Sequence, residues 1–492
     1  MAFFQVKKSF QMSQCIRKIV LFSGIAALTL SGCGADKNAA KATSSEETST
    51  VEITEKEATD QNPDAIILLD HGQDISMAIL DTSGNKIKEF EDVFYANAVS
   101  EGKIRIRQND LYGAMDMSGN IIVEPRYACS VSNAAMENSL IYRENRAVFF
   151  KDEKYGYLDE TGKEVIPARF QKAELFRNGL AAVKENDKWG YIDSSGEYVI
   201  QPQYDDADSF FANVAEVKQN GESLIINKNG EVKQQGISIY DPYRSEECQQ
   251  EGRMVICNEN DKYGYMSVDG ELIVEPKFNE AYPFSDGVAL VLVAQPEGST
   301  NTDYGYIDPE GNYVLEPQYY LAKNFNDGYA YVNVDSTTQG FIDKQGNIAN
   351  SKSVDTYDFE GVFHDGLAFA RDESGENQYI QPDGECVISL KSVEEKTGWS
   401  SYHSSFKDGY ALIQGDQQKC IIDKEGTIVF GPTDLPLDID HTGKTGLVVC
   451  GMDENGMIGV KNLKDEWVVD AAVYSDILIL DKDDEIPEYM EK

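Results

Sequence analysis

The chain has 492 residues, of which 41% are hydrophobic and 10% aromatic, so it is long enough and apolar enough to build a folded core. Its 85 acidic residues outnumber its 44 basic residues and give a formal net charge of −41. A chain this acidic repels phosphate-rich partners, which argues against nucleic acid as a ligand and, less strongly, against anionic wall polymers.

The first predicted element is an export signal. A segment with four basic residues, 7–18, precedes a run of twelve mostly apolar residues, 19–30. This run is shorter than the roughly 20 residues that a spanning helix needs, and a short apolar run behind a basic segment is typical of a signal peptide. Met12 is an alternative start that would leave a shorter signal.

The apolar run ends in "LSGC", which resembles the lipobox of bacterial lipoproteins. In that family a peptidase cleaves before the cysteine once a diacylglycerol is attached to its sulfur. The resemblance implies that residues 1–32 are removed and that Cys33 becomes the lipidated first residue, held at the outer face of the bacterial cell membrane. The alternative is an ordinary cleaved signal in which this cysteine occurs by chance.

Residues 33–64 are rich in Ser, Thr, Ala, Glu and Lys and contain no aromatic residue. Such a composition cannot bury enough apolar surface to offset the entropy of ordering, so we expect a disordered tether. As a flexible coil this tether would span about 30 Å.

A repeated phrase occupies most of the remaining chain. The segment "KWGYIDSSGEYVIQPQYDDADSF" from Lys188 has close copies that start at Lys154, Lys262 and Asp303. Two anchors recur ten times in the same order at spacings of 34 to 43 residues: a D-x-x-G turn, and a glycine that opens a short apolar run. A weaker eleventh copy is suggested around Trp467. We therefore expect about ten tandem units between residues 65 and 480, followed by an acidic tail, 481–492.

Each unit is predicted to be all-β with three strands. "WGYID" and "EYVIQPQY" flank the Asp-x-x-Gly turn and should pair as a hairpin, and the run after the second anchor supplies a third strand. Asn145 and Asn213 replace the glycine of the second anchor, which indicates a left-handed backbone at that position. Three strands cannot seal a core alone, so neighbouring units must stack.

These motifs resemble bacterial WG-repeat proteins. The resemblance extends roughly from Asp81 to Gly446 and is strongest where an aromatic residue precedes glycine, at Tyr155, Trp189, Tyr263 and Tyr304. It is weaker at Asn227, Gln381 and Asp423, and near the last of these Cys420 stands in the glycine position. The resemblance implies an exported binding or scaffold array. The unit length favours a propeller-like array, and an open β-solenoid or superhelix is the alternative because ten units exceed the usual 4 to 8 blades.

No catalytic motif was found in the sequence: GxSxG, HExxH, P-loop, GxGxxG and EF-hand patterns do not occur. The four histidines are far apart, and His364 occupies a variable turn position. The recurrent turn aspartates are interpreted as turn caps, with weak calcium binding as the minor alternative. We expect no cofactor and no tight metal site.

The recurring tyrosines are interpreted as core, whereas Trp399 and Tyr402 in "TGWSSYHSSF" are the candidate binding residues because they interrupt the repeat. Six cysteines remain after export; Cys248 and Cys257 are the closest pair, and separate thiols are an equal alternative.

The sequence thus predicts a membrane-anchored, non-catalytic module that binds an extracellular glycan or protein. The alternatives are a secreted glycan-active enzyme on a propeller-like scaffold and a purely structural spacer.

Overall fold

The structure is a computed structural model that describes residues 64–70, 76–128, 139–240, 251–294, 302–333, 339–350, 363–372, 374–398, 400–451, 457–472, 474 and 476–484. The predicted signal peptide, Cys33, the tether as far as residue 63 and Trp399 lie outside these residues.

Eleven β-sheets arranged as a propeller make up the described part of the chain. Strand pairs within each sheet are antiparallel, and most sheets take four strands that are consecutive in sequence. We number the sheets as blades 1 to 11 in chain order and the strands of a blade from first to fourth. This arrangement confirms the predicted propeller-like array.

Blade 1 contains β1 (Ala65–Asp70), β2 (Ser76–Leu80) and β3 (Lys86–Glu91), and blade 2 contains β4 (Phe94–Ser100), β5 (Lys103–Gln108), β6 (Leu111–Asp116) and β7 (Ile121–Tyr127). Blade 3 contains β8 (Tyr142–Arg143), β9 (Arg146–Lys151), β10 (Lys154–Asp159) and β11 (Glu164–Phe170). Blade 4 contains β12 (Lys172–Ala173), β13 (Ala181–Glu185), β14 (Lys188–Ile192) and β15 (Tyr198–Tyr204).

Blade 5 contains β16 (Asp206–Ala207), β17 (Val214–Gln219), β18 (Glu222–Asn227) and β19 (Val232–Gln235), and blade 6 contains β20 (Ile237–Ile239), β21 (Arg253–Asn258), β22 (Tyr263–Ser267) and β23 (Leu272–Phe278). Blade 7 contains β24 (Glu280–Ser285), β25 (Val288–Ala294), β26 (Thr302–Ile307) and β27 (Tyr313–Tyr319). Blade 8 contains β28 (Leu321–Ala322), β29 (Ala330–Asn333), β30 (Gln339–Ile342) and β31 (Ile348–Asn350).

Blade 9 contains β32 (Ala368–Arg371), β33 (Asn377–Ile380) and β34 (Cys386–Ser389). Blade 10 contains β35 (Ser400–His403), β36 (Tyr410–Gly415), β37 (Lys419–Asp423) and β38 (Ile428–Thr433). Blade 11 contains β39 (Leu437–Asp438), β40 (Leu447–Cys450), β41 (Ile458–Asn462) and β42 (Trp467–Ala472). Two short helices, α1 (Lys391–Thr397) and α2 (Thr442–Thr445), interrupt the strands, and the last strand is β43 (Asp476–Asp481).

The last strand completes the first blade. β43 pairs with β1 along six residue pairs, from Ala65 opposite Asp481 to Asp70 opposite Asp476. The Lys482 amide also donates a hydrogen bond to the Asp64 carbonyl at 2.8 Å. Because strands from both ends of the domain share one sheet, the ring is closed, and the open solenoid is excluded for the described residues.

The glycine of the WG motif makes room for a bulge in the fourth strand. In blade 4 the register shifts between Trp189, which faces Tyr204, and Tyr191, which faces Ile200. A Cβ atom on Gly190 would lie 2.5 Å from the Ile200 carbonyl oxygen and 2.7 Å from the Pro202 nitrogen. The proline lies in an edge strand, where a missing donor is tolerated.

The Asp-x-x-Gly turns have the predicted geometry. In blade 4 an Asp193 carboxylate oxygen accepts hydrogen bonds from the amides of Ser195 at 2.9 Å and Glu197 at 3.1 Å. Gly196 has a φ of 88°, in the left-handed region that favours glycine. Each such turn therefore satisfies its own backbone and joins the third strand to the fourth.

Neighbouring blades share their cores, as the stacking prediction required. Between blades 4 and 5, the buried residues Trp189, Tyr191 and Ile200 pack with Phe210 and Val217. The repeated tyrosines expected in the core are all buried: Tyr191, Tyr204, Tyr265, Tyr306 and Tyr319. No blade seals its own core, which makes the ring one cooperative body.

A tyrosine hydroxyl fastens each of several blades to the next. Tyr191 donates to the Asp208 carbonyl at 2.7 Å, and its ring meets the Phe210 ring edge-on at 4.8 Å between centroids. The same pair of contacts recurs at Tyr157, Tyr265, Tyr306 and Tyr379. The hydroxyl thus explains why this position is tyrosine, since a buried phenol needs a partner.

The turn between the first and second strands also links blades. Its acidic residue accepts a hydrogen bond from the glycine amide of the next such turn, as Asp286 does from Gly328 at 2.6 Å and Asp365 from Gly409 at 2.8 Å. Carboxylates that accept backbone amides in this way stabilise the ring, so much of the acidic charge on this face serves the fold.

Two details of the repeat differ from expectation. Most blades have four strands and not the predicted three. The additional strand is the first one, which is only two residues long in several blades and therefore too short to show alternation in the sequence. Asn145 has the predicted positive φ of 59°, but the prediction is wrong for Asn213, because only the preceding Ala212 has a positive φ there.

Candidate binding site

The turn aspartates are occupied by the fold. The Thr161 hydroxyl and the amides of its turn hold the pKa of Asp159 below its usual value, and the Ser195 hydroxyl does the same for Asp193. Within the described part of the chain, no group of three or more His, Cys, Asp or Glu side chains is placed to hold a metal ion. These carboxylates therefore cap turns in this structure.

The other chemistry-bearing side chains are dispersed. His364 flanks the two-residue turn 365–366, and its backbone N–H and C=O pair with those of Leu367 on the other side of the turn. Cys257, Cys420 and Cys450 are free thiols, and Cys248, the suggested partner of Cys257, lies outside the described residues. Burial raises the pKa of Cys420 to about 12, which makes it an inert core thiol.

The repeat is most altered between blades 9 and 10, at a place that we call the α1 joint: helix α1 with β32, β33 and β35. Helix α1 fills the connection that precedes the first strand of blade 10. The Thr397 carbonyl at its end accepts hydrogen bonds from the amides of Gln417 at 3.1 Å and Gln418 at 2.9 Å. These bonds join the end of the helix to the turn between β36 and β37 of blade 10.

A polar chain ties α1 to blade 9. The Arg371 Nε donates to Asn377 Oδ1 at 2.8 Å, and Asn377 Nδ2 donates to Glu394 Oε1 at 2.7 Å. Asn377 is fully buried, and this pairing satisfies its amide. Lys391 adds an exposed ion pair with Glu376 at 2.8 Å.

His403 lies inside the α1 joint. Its ring stacks on Phe369 at 3.8 Å between centroids and 17° between planes. Among the residues that the structure describes, neither ring nitrogen has a hydrogen-bond partner, and both atoms are buried. Burial first, and the nearby Arg371 second, lower the pKa of His403 to about 4. The imidazole is therefore neutral at pH 7.

Of the two predicted binding residues, the structure places only one. Tyr402 is half-buried in β35, next to His403, and Trp399 lies outside the described residues. The segment expected to be irregular is thus partly regular, with a helix and a first strand. Sequence reasoning missed Phe369, Arg371 and His403. For His403 the sequence did contain a signal, because this histidine occupies a position that is alanine in four other blades.

An exposed aromatic marks a second surface. The Tyr320 side chain precedes the first strand of blade 8 and is 73% exposed, and Leu321 beside it is 37% exposed. The equivalent residues Gln171 and Asp205 make polar contacts with the neighbouring turn, at Asp187 and Lys188 respectively. Tyr320 therefore departs from the repeat on the side of the ring where α1 also lies.

Sheet order, closure and blade-to-blade contacts define the protein as a β-propeller. The family model of the WG-containing repeat matches residues 155–189, 189–222, 263–293 and 304–337, which lie in blades 3 to 8. The chain thus contains WG-containing repeats in these four segments. No curated protein matches the sequence.

Several solved structures share distant similarity with the chain. A eukaryotic initiation factor is 8% identical with a TM-score of 0.31, over 68% of this chain and 97% of that one. BamB from Moraxella catarrhalis is 12% identical with a TM-score of 0.24, over 57% and 80%. The dihydro-heme d1 dehydrogenase NirN is 12% identical with a TM-score of 0.27, over 87% and 76%. At these values the similarities carry no functional argument.

None of the helices in the described residues is long and apolar enough to cross a membrane.

Proposed function

We propose that the protein is a lipoprotein anchored through Cys33 to the outer face of a bacterial membrane, and that its propeller is a non-catalytic module that binds an extracellular glycan or protein. The observation that carries the proposal is how the repeat uses its polar groups. The recurring turn aspartates and the tyrosine hydroxyls that link successive blades are bonded within and between blades, as at Asp193 and Tyr191. The residues that depart from the repeat cluster at the α1 joint, and departures from a structural repeat are where a binding function resides.

The anchor is supported by the position of the tether. The first strand begins at Ala65, immediately after the segment that the sequence predicts to be disordered. The closed ring would therefore follow the lipid-bearing cysteine after one flexible stretch, without an intervening domain. Such an arrangement suits a recognition module that samples the space near a membrane.

Replacing Cys33 by alanine is expected to abolish lipid attachment and to move the protein from the membrane to the soluble fraction by at least about tenfold, since a diacyl anchor stabilises membrane binding strongly. The measurement is labelling with a radioactive fatty acid followed by fractionation. Cys15→Ala, inside the signal, is the control and should keep both label and membrane location. A Cys33→Ala protein that still carries the label would refute the anchor.

Binding is tested with full-length protein in detergent against arrayed glycans, wall fragments and exported proteins, each with and without calcium. We expect a saturable interaction that Tyr402→Ala weakens about tenfold, the loss of one aromatic contact. Tyr320→Ala is the matched control, because Tyr320 is an exposed tyrosine on another blade. Equal losses in both variants would move the site away from the α1 joint, and a negative screen with folded protein would favour a structural spacer. Release of reducing ends by the wild-type protein would favour the enzyme.

A further inference from the structure

The internal repeat provides a reference for His403. Tyr191 of blade 4 donates a hydrogen bond to the Asp208 carbonyl in blade 5. The equivalent Tyr379 of blade 9 donates to the Ser404 carbonyl in blade 10. The residue just before that carbonyl is His403 in blade 10, and in four other blades it is an alanine that is 7 or 8% exposed: Ala173, Ala207, Ala281 and Ala322. An ionisable ring has replaced a methyl group at a buried contact between blades.

The partner residue has changed as well. The strand β32 of blade 9 corresponds to the second strand of the other blades. In it, Phe369 occupies the position of Val148 in blade 3 and of Ala182 in blade 4. The imidazole and the phenyl ring stack face to face, and the two imidazole nitrogens have no hydrogen-bond partner in the described part of the chain. A neutral imidazole fits this contact as a flat, largely apolar group. An imidazolium would need acceptors for two N–H groups, and the stack supplies none.

The charges around the stack oppose protonation. The titratable groups on the elements around His403 are Arg371 on β32, Tyr379 on β33, Tyr402 on its own strand, Tyr410 on the paired strand β36, and Lys391, Glu394, Glu395 and Lys396 on α1. Glu394 bonds the Asn377 amide, which in turn accepts from Arg371, so the carboxylate and the guanidinium are already linked through one side chain. Arg371 is the charged group that disfavours a proton on His403.

We propose that the interface between blades 9 and 10 is an acid-sensitive joint, in which a proton on His403 separates the imidazole from Phe369 and loosens the contacts of α1 while the other blade interfaces hold. The inference does not rest on the proposed ligand binding. It assigns to one of the ring's interfaces a response to the pH of the medium around an exported protein.

The sign of the effect follows from linkage. The pKa of His403 is about 4 in the folded protein, below the ordinary value of 6.5. The stacked state is therefore fully stable above pH 6.5 and loses stability as the pH falls from 6.5 towards 4. Between pH 8 and pH 5 the opening equilibrium of the joint should rise about 30-fold.

Hydrogen exchange with mass spectrometry on the full-length protein in detergent tests this, at pH 7.5 and pH 5.0 with correction for intrinsic exchange rates. In the wild type, peptides covering residues 363–372 and 400–413 should lose protection by about 30-fold at the lower pH. Peptides covering residues 175–192, at an interface with alanine in place of histidine, are the internal reference and should change little.

Two variants separate titration from packing. His403→Ala restores the residue of the other blades, and His403→Phe keeps a ring on Phe369; both should remove the pH response of the joint. His364→Ala, at an exposed turn, should keep the wild-type response. The proposal is overturned if the wild-type joint keeps its protection at pH 5.0, or if both His403 variants respond as the wild type does.

Discussion

Replacing Gly190 by alanine is expected to lower the free energy of unfolding by about 3 kcal/mol, the upper end of what overpacking costs. The added Cβ would lie 2.5 Å from the Ile200 carbonyl oxygen and 2.7 Å from the Pro202 nitrogen. Both atoms belong to the backbone of a strand held by the next blade, so neither can move as a flexible side chain would. The φ of Gly190 is not positive, and the whole effect therefore comes from the collision.

Blade 10 shows how the collision can be relieved, and it supplies the control. There Cys420 occupies the position of Gly190, and Gly431 occupies the position of Gln201 in the facing strand. A Cβ on Gly431 would itself lie 3.3 Å from the Cys420 Cβ. Where the fourth strand bulges at this position, the glycine thus stands on one strand or the other; blades 5 and 9 lack this bulge and have Leu224 and Gln378 at the position of Gly190.

The double variant Gly190→Ala with Gln201→Gly should therefore recover part of the lost stability. Urea unfolding, followed by circular dichroism, measures both proteins and the single Gln201→Gly variant. An unchanged midpoint in Gly190→Ala would show that the fourth strand adjusts freely, contrary to this account. Additive effects of the two substitutions would contradict the pairing inferred from blade 10.

Ending the chain before Asp476, which removes β43, is expected to destabilise the propeller by about 6 kcal/mol or more, since the side chains of Ile477, Ile479 and Leu480 leave the core. The strand also covers the edge of β1, whose Ile66, Ile67 and Leu68 are completely buried. We expect a loss of the compact monomer in size-exclusion chromatography with light scattering, and association through the uncovered edge.

A chain that ends at Asp484 retains β43 and is the control, which should remain monomeric. A synthetic peptide of residues 474–484 added to the shortened chain should restore part of the stability, because it can pair with β1 as the native strand does. A shortened protein that stays monomeric and equally stable would mean that the β1–β43 pairing contributes little to the ring.

The sequence predicted the hairpin of each unit because its signals are local. Alternating residues, the Asp-x-x-Gly turn and the late proline all fall within one phrase such as residues 188–204. The closure of the ring could not be predicted from a local pattern, since β1 and β43 are separated by more than 400 residues and no residue pattern in either strand identifies the other as its partner. The short first strand, as in Lys172–Ala173, was missed because two residues show no period.

The site was predicted less completely than the fold. Interruption of the repeat led to Tyr402, which lies in the α1 joint. Phe369, which stacks on the neighbouring His403, belongs to blade 9 and comes close only through packing. His403 could have been found by aligning the units on the tyrosine that links successive blades, because four other units have alanine at the position of His403. Arg371 could not, because a basic residue at that position is ordinary, as Lys184 shows.

The closure between residues 64 and 482 means that the ring has no intrinsic first blade. Asp64 and Lys482 are joined by a backbone hydrogen bond of 2.8 Å, about the spacing of any turn between adjacent strands of a blade. A short peptide linking these residues would leave every strand pairing intact, and new termini could be opened at an exposed turn such as the one at Gly221. The blade at which the chain enters and leaves the ring is therefore set by the order of the gene alone, and circular permutation would attach the proposed tether to a different blade of the same propeller.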